Sequence, residues 1–202
     1  MKKYLLIIAV IIFTACESIP DYDDLSSEFV VSTNLDDNAV FSDYKTFYIS
    51  DSVVNLGGED ADSLWIDDDA KQLVKRVKDN MAARGYTYVQ RHQHPDLGMQ
   101  MGAVNVLNIN IYPGWWGGYP GWGWYPWGYY PYYYPWTTVY TYNTGTIILD
   151  TYDVKNADDT GTYRAVWNIT SFGALGSDSV NLQRGENSID QGFEQSPYIQ
   201  AN

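Results

Sequence analysis

The stretch "WIDDDAKQLVKRVKDNMAARG", Trp65 to Gly85, decides the fold class. Asp67, Asp68 and Asp69 open it, and Lys75, Arg76, Lys78 and Arg84 follow. Acids first and bases later complement the dipole of a helix. Ala70, Leu73, Val74, Val77 and Met81 recur at helical spacing, so one apolar stripe is predicted to be buried. Gly85 is the stop, because a left-handed residue ends helices of this kind. Adjacent acids can also begin a metal site. At a helix start they read as dipole complements, and no metal is assigned to them.

On both sides of this helix the period changes from 3.6 to 2. Upstream, "EFVVSTNLD" is a strand candidate, and "AVFSDYKTFYIS" ends in the strand-like run Tyr44 to Ile49. "DSVVNLGGEDADS" reads as a polar loop. Downstream, "YTYVQ" is a short strand and "HQHPD" a turn. From Leu97 the odd positions Met99, Met101, Ala103, Leu107, Ile109 and Ile111 are apolar, which predicts a long strand with one face inward. "TVYTYNTGTIILDTYDV" returns as strand. "TYRAVWNIT" places Tyr163, Ala165, Trp167 and Ile169 on one face, and "NSIDQGFEQSPYI" reads as a closing helix ended by Pro197. The expected fold class is α+β: an antiparallel β-sheet with one main helix and a short C-terminal helix packed on one face, forming a single domain over 28–202.

Between the two long strands lies "YPGWWGGYPGWGWYPWGYYPYYYPW", Tyr112 to Trp136, with six of the chain's eight Trp and five of its eight Pro. Six glycines lie among them. Pro and Gly at this density exclude a helix and an inner strand. A span of hydrocarbon is excluded too, because the backbone groups would go unpaired there. No charged residue occurs between Asp96 and Asp150, so the flanking strands are uncharged as well. Residues 113–136 are therefore read as an aromatic low-complexity hairpin insertion. Trp115, Trp116, Trp122, Trp124, Trp127 and Trp136 form its candidate contact surface. Aromatic faces of this kind suit a headgroup interface, a protein partner or the stacking of sugar rings. They can equally pack on one another and on the sheet.

The N-terminus reads as an export signal over residues 1–15. Lys2 and Lys3 precede "YLLIIAVIIF", an apolar run too short to span a bilayer comfortably. "FTAC" resembles a bacterial lipobox, with Phe13 where Leu is usual. The resemblance implies cleavage before Cys16 and acylation there by palmitate-like chains, two or more of which anchor stably. Cys16 is the only Cys, so no intramolecular disulfide can form. The acidic residues 16–27 read as a tether that holds the domain off its membrane. The expected location is the cell envelope, lipid-anchored at the outer membrane, with the face of that membrane left open. Losing Lys2 and Lys3 with the signal moves the net charge from −13 to −15. Phosphate backbones repel such a chain, and nucleic acid is not expected as a partner.

Chemistry-bearing constellations are few. His92, His94 and Asp96 would share one side of an extended chain, but Pro95 interrupts them and a stable metal site wants three or four ligands. Asn156, Asp158, Thr160 and Gly161 begin like a calcium loop, yet Trp167 stands where the closing Glu belongs. A hairpin turn explains them. No Ser lies in a nucleophile-elbow pattern. No catalytic residue and no cofactor are assigned, and no enzyme activity is expected.

"VFSDYKTFYI", "ARGYTYV", "HPDLGMQMG", "GTIILDTYD", "RAVWNIT" and "FEQSPY" occur in that order. Together, over about residues 28–198, they resemble bacterial lipoproteins of domain of unknown function 4136, in a Bacteroidetes-like form. The resemblance implies a small α+β envelope domain without an established activity. It supplies no catalytic residues to carry over. The expectation is a membrane-anchored interaction or structural module that meets an envelope protein or a bilayer through its aromatic hairpin. The alternative is a glycan- or cell-wall-binding lipoprotein with a Trp/Tyr stacking platform.

Overall fold

The computed structural model describes residues 29–56, 64–104, 109–111, 132–133, 135, 140–142, 145–157, 162–173 and 177–202. The strands are β1 (Val30–Leu35), β2 (Thr46–Leu56), β3 (Leu64–Trp65), β4 (Thr87–Tyr88), β5 (Leu97–Val104), β6 (Ile109–Ile111), β7 (Tyr132–Tyr133), β8 (Tyr140–Tyr142), β9 (Thr146–Asp153) and β10 (Tyr163–Phe172). The helices are α1 (Asp68–Ala83) and α2 (Asp178–Glu194). One sheet runs β1-β10-β9-β5-β2-β3, with β4 paired to β2 and β7 to β10, while β6 and β8 pair separately. The class is α+β, as the change of period predicted.

Helix α1 forms as read. Asp67 is its N-cap, and its carboxylate accepts from the Ala70 N–H at 3.0 Å. That bond holds the Asp67 pKa below its ordinary value. Ala70, Leu73, Val74, Val77 and Met81 are all buried. Gly85, at φ 87°, takes the left-handed turn that ends the helix. The last residues close this end: the Ala201 N–H and the Gln200 side chain both donate to the Arg84 carbonyl.

The structure corrects four local readings. The sheet is mixed rather than purely antiparallel: β2 and β5 pair in parallel, because α1 crosses over between them. Strand β2 runs on to Leu56, through residues read as loop. Ser50, Asp51 and Ser52 sit where the β2/β5 register shifts between Ile49 and Val53, and the strand beyond buries Val53, Val54 and Leu56. Helix α2 starts at Asp178, nine residues before Asn187, where the expected closing helix begins, and its 17 residues exceed the 16 of α1. Its first two turns lacked a signal because they bury little. In β10 the register shifts between Ala165 and Trp167: Ala165 opposes Tyr152, whereas Trp167 opposes Thr151. Tyr163 and Ala165 therefore do not share a face with Trp167 and Ile169, which point to the helices.

The core lies between the sheet and both helices. Phe47, Ile49, Met99, Met101, Leu149, Trp167 and Ile169 supply its sheet side, and Ile189 and Phe193 come from α2. Trp167 is fully buried, 4.9 Å from the Phe193 ring, and its Nε1–H donates to Ser196 Oγ at 3.0 Å. Gly192 lets α2 approach the sheet: a Cβ there would stand 2.5 Å from Ile169 Cδ1. The helices are clasped outside by Arg76, which binds the Asp190 carboxylate through Nε at 2.8 Å and through Nη2, and by Asn80, which donates to it at 2.7 Å.

Two outcomes test this packing. Gly192→Ala should gain about 1 kcal/mol of helix propensity and still lose about 1–3 kcal/mol net to overpacking. A urea melt would show it, and Ile169→Val should restore part of the loss. Asp190 is pushed up by burial and pulled down by Arg76, Asn80 and the charge of Arg84, with the net pKa below its ordinary value. A depressed carboxylate stabilises above its unfolded pKa and loses that contribution as pH falls through its folded pKa. Asp190→Asn should therefore cost about 0.5–1 kcal/mol at pH 7, with the gap to the wild type closing as pH falls below the ordinary carboxylate range. Melts across pH check it.

Candidate functional site

Sheet register assembles two features outside the core. The first lies on the face opposite the helices. Asn34 in β1 opposes Asn168 in β10, which opposes Asp150 in β9, which opposes Gln100 in β5. Gln100 in turn faces the irregular Ser50–Ser52 segment of β2, whose two hydroxyls stand 2.7 Å apart. Alternation thus lays one polar row across five strands. Asn34 Nδ2 donates to Asn168 Oδ1 at 3.1 Å, and Asn168 Nδ2 donates to Asp150 Oδ1 at 2.5 Å. Thr170 Oγ1 donates to Asn168 Oδ1, and Tyr152 OH to Asp150 Oδ2 at 3.3 Å. Gln100 differs: it is 5% exposed, and neither its Nε2 nor its Oε1 has a hydrogen-bond partner among the described residues. Sequence reading passed over this row because its members lie in five separate segments, and only the register brings them into line.

The second feature lies at one end of the sheet. The start of β1, the ends of β2, β5 and β10, and the start of β9 meet there, as the pairs Val30↔Phe172, Ser171↔Ile147, Val104↔Thr146 and Leu56↔Val104 establish. Phe29, the first described residue, enters there, so the expected tether would lead to this end, the tether end. The insertion leaves from the same end: Gly145 N–H donates to the Val104 carbonyl, and β6 pairs β8 beyond them. Large apolar side chains stand exposed around it, among them Val30 at 59%, Leu64 at 53% and Ile66 at 60%. Leu64 and Ile66 also line a groove of about 600 Å³ whose walls include Phe29, Trp65, Leu73, Ala103, Ile147 and Leu182. Asp67, Asp69 and Asp178 also line it.

Cys16, Trp115, Trp116, Trp122, Trp124, Trp127 and Trp136 lie outside the described residues, as do the export signal and the tether. The insertion nevertheless does more than form a hairpin tip. Its β7 segment pairs in parallel with Tyr163 and Arg164. Arg164 already has Asp153 of β9 on its other side, so β7 continues the edge that β1 occupies. That places Tyr132–Tyr133 toward the far end of the sheet from the stem, roughly 23 Å away at the usual strand rise. The Arg164 guanidinium lies 5.8 Å from the centre of the Tyr133 ring and also pairs with the buried Asp36 carboxylate.

The histidine turn is not extended. Arg91–Gln93 form a 3₁₀ turn and His94 is left-handed at φ 55°, so His92 and His94 do not share an extended face. Asp96 is engaged by the Lys45 and Thr46 N–H groups at 2.7 and 3.0 Å. Asp153 accepts from the Asn156 backbone and side chain, while Asp158, Thr160 and Gly161 lie outside the described residues. Among the described residues, no three His, Cys, Asp or Glu gather in a way that could hold a metal ion, and no helix is long and apolar enough to cross a membrane.

The polar row yields a clear contrast. Gln100→Leu should leave stability unchanged or raise it by about 1 kcal/mol, since it buries no broken bond. Asn168→Leu should lower it by about 2 kcal/mol, because it strips the buried Asp150 of a donor. Paired chemical melts would separate them.

The family model for DUF4136, a domain of unknown function, matches residues 31–198. The structure is similar to the crystal structure of a DUF4136 family protein from Bacteroides thetaiotaomicron VPI-5482, at 27% identity and TM-score 0.72, covering 87% of this chain and 99% of that one. Weaker likenesses are a PelC dodecamer from Paraburkholderia phytofirmans (12% identity, TM-score 0.37, 81% of this chain and 97% of that one) and a PDZ domain protein from Parabacteroides distasonis (13%, TM-score 0.39, 84% and 36%). No curated protein matches.

Proposed function

The chain belongs to the DUF4136 family of domains of unknown function, and from that premise we propose that it is a lipid-anchored cell-envelope lipoprotein acting as a non-enzymatic interaction module. Cys16 is its anchor, in the outer membrane, and the aromatic insertion together with the tether end is its contact surface. One observation carries this reading: Phe29, the stem of the insertion and the exposed side chains of Val30, Leu64 and Ile66 all meet at the same end of the sheet. A tether from Cys16 to Phe29 extends at most about 45 Å, so the membrane stays within reach of that end. Trp and Tyr are favoured at the headgroup layer, and scattered apolar side chains gathered on one end mark a contact surface.

A glycan is the second reading. The aromatic residues of the insertion supply faces of the kind on which sugar rings stack.

The anchor and the contact surface are tested separately. Labelled palmitate should enter the wild type and not Cys16→Ala. For the surface, the Cys16→Ser chain removes the anchor's own affinity for lipid. In it, a Gly/Ser linker of equal length replaces residues 113–131, which keeps β7. The replacement should leave the thermal melt within a few degrees and reduce liposome or envelope-protein capture at least tenfold. Capture that survives the replacement would overturn the assignment. A Trp fluorescence change on titration with cell-wall fragments, absent with liposomes, would favour the glycan reading instead.

A further inference from the structure

We infer that the groove at the tether end holds a hydrocarbon chain borne by Cys16, an inference that rests on the lipoprotein reading above. The groove has the size of a small-molecule site, about 600 Å³. Its walls come from several elements at this end: Phe29 ahead of β1, Trp65 of β3, Ala103 of β5, Ile147 of β9 and Leu182 of α2. An acyl chain needs such a lining and needs no hydrogen bonds from it. Each methylene withdrawn from water favours the bound state.

The rim selects the kind of chain. Asp67, Asp69 and Asp178 line the same groove. Three carboxylates repel the carboxylate of a free fatty acid and the phosphate of an anionic lipid. An ester- or amide-linked chain, the form in which a lipidated cysteine carries its acyl groups, brings no charge to that rim. Reach also favours Cys16. Phe29 itself lines the groove, and the thirteen residues from Cys16 to Phe29 span far more than the groove requires. Tethering makes the encounter intramolecular and raises the effective concentration of the chain. The groove would shelter one acyl chain while the protein is in water and release it when the protein reaches a bilayer.

The test uses the Cys16→Ser chain and a pyrene-labelled monoacylglycerol. Saturable binding is expected, at least tenfold tighter than that of the matching pyrene-labelled fatty acid. A peptide of residues 16–28 palmitoylated on its N-terminal amine should displace the probe, and the unacylated peptide should not. Ala103→Phe fills the groove, and Leu182→Glu places a charge in it. Each should weaken probe binding at least tenfold, and whichever variant keeps the wild-type circular-dichroism melt is the one to score. Absence of probe binding, equal binding of the fatty acid, or undiminished binding in a folded groove variant would overturn the inference. Mass spectrometry of the membrane-extracted protein separates the two readings. An unmodified Cys16 sinks the lipoprotein reading and the named occupant with it, whereas an acylated Cys16 without probe binding sinks the groove alone.

Discussion

The burial of Trp167 is the constraint on which the other elements depend. Its indole is closed off by Phe193 on α2 and by Ser196 just beyond it, while its own strand carries β1 and β7 on one side and β9 on the other. The register shift at Val166 makes this possible. Without it, strict alternation from Ala165 would turn Trp167 to the face opposite the helices. One extra residue therefore assigns the largest side chain of the core to the side where two helices can cover it. Gly192 completes the fit, because only a residue without a Cβ brings α2 this close to Ile169.

The sheet then has two unlike faces. Toward the helices it is mostly apolar, interrupted by Thr151 and Asp153, and is stabilised by area removed from water. On the other side the row from Asn34 to Gln100 carries amides and a carboxylate across four strands. Such a row is stabilising only where each member is paired, and at Gln100 it is not. An unpaired buried amide is kept against a stability penalty, so stability was not the only demand on this face.

Legibility in the sequence followed the strength of local periodicity. The α1 stripe, its Asp67 cap and its Gly85 stop could be read because each signal lies within a few residues of the next. Strand β5 could be read from the odd positions Leu97, Met99, Met101 and Ala103. The shift at Val166 could not be, since nothing about Val166 distinguishes it from its neighbours until β9 is laid beside it. The parallel pairing of β2 with β5 was hidden for the same reason: direction is a property of two strands and their crossover, not of either sequence. The first turns of α2 bury little, and Gly185 at their end is a poor helix former that nonetheless packs against Leu73 and Ile147. The site was less legible than the fold. The polar row and the groove both draw on segments far apart in the chain, whereas the aromatic run announces itself by composition alone.

The pairing of β1 with β10 also sets the order of events in synthesis. Asn34 and Asn168 are joined across a separation of 134 residues, and Trp167 waits for Ser196. The cap of α1 waits for Gln200 and Ala201. Contacts this remote in sequence form slowly and late. A nascent chain therefore holds no closed core until nearly all of it has been made.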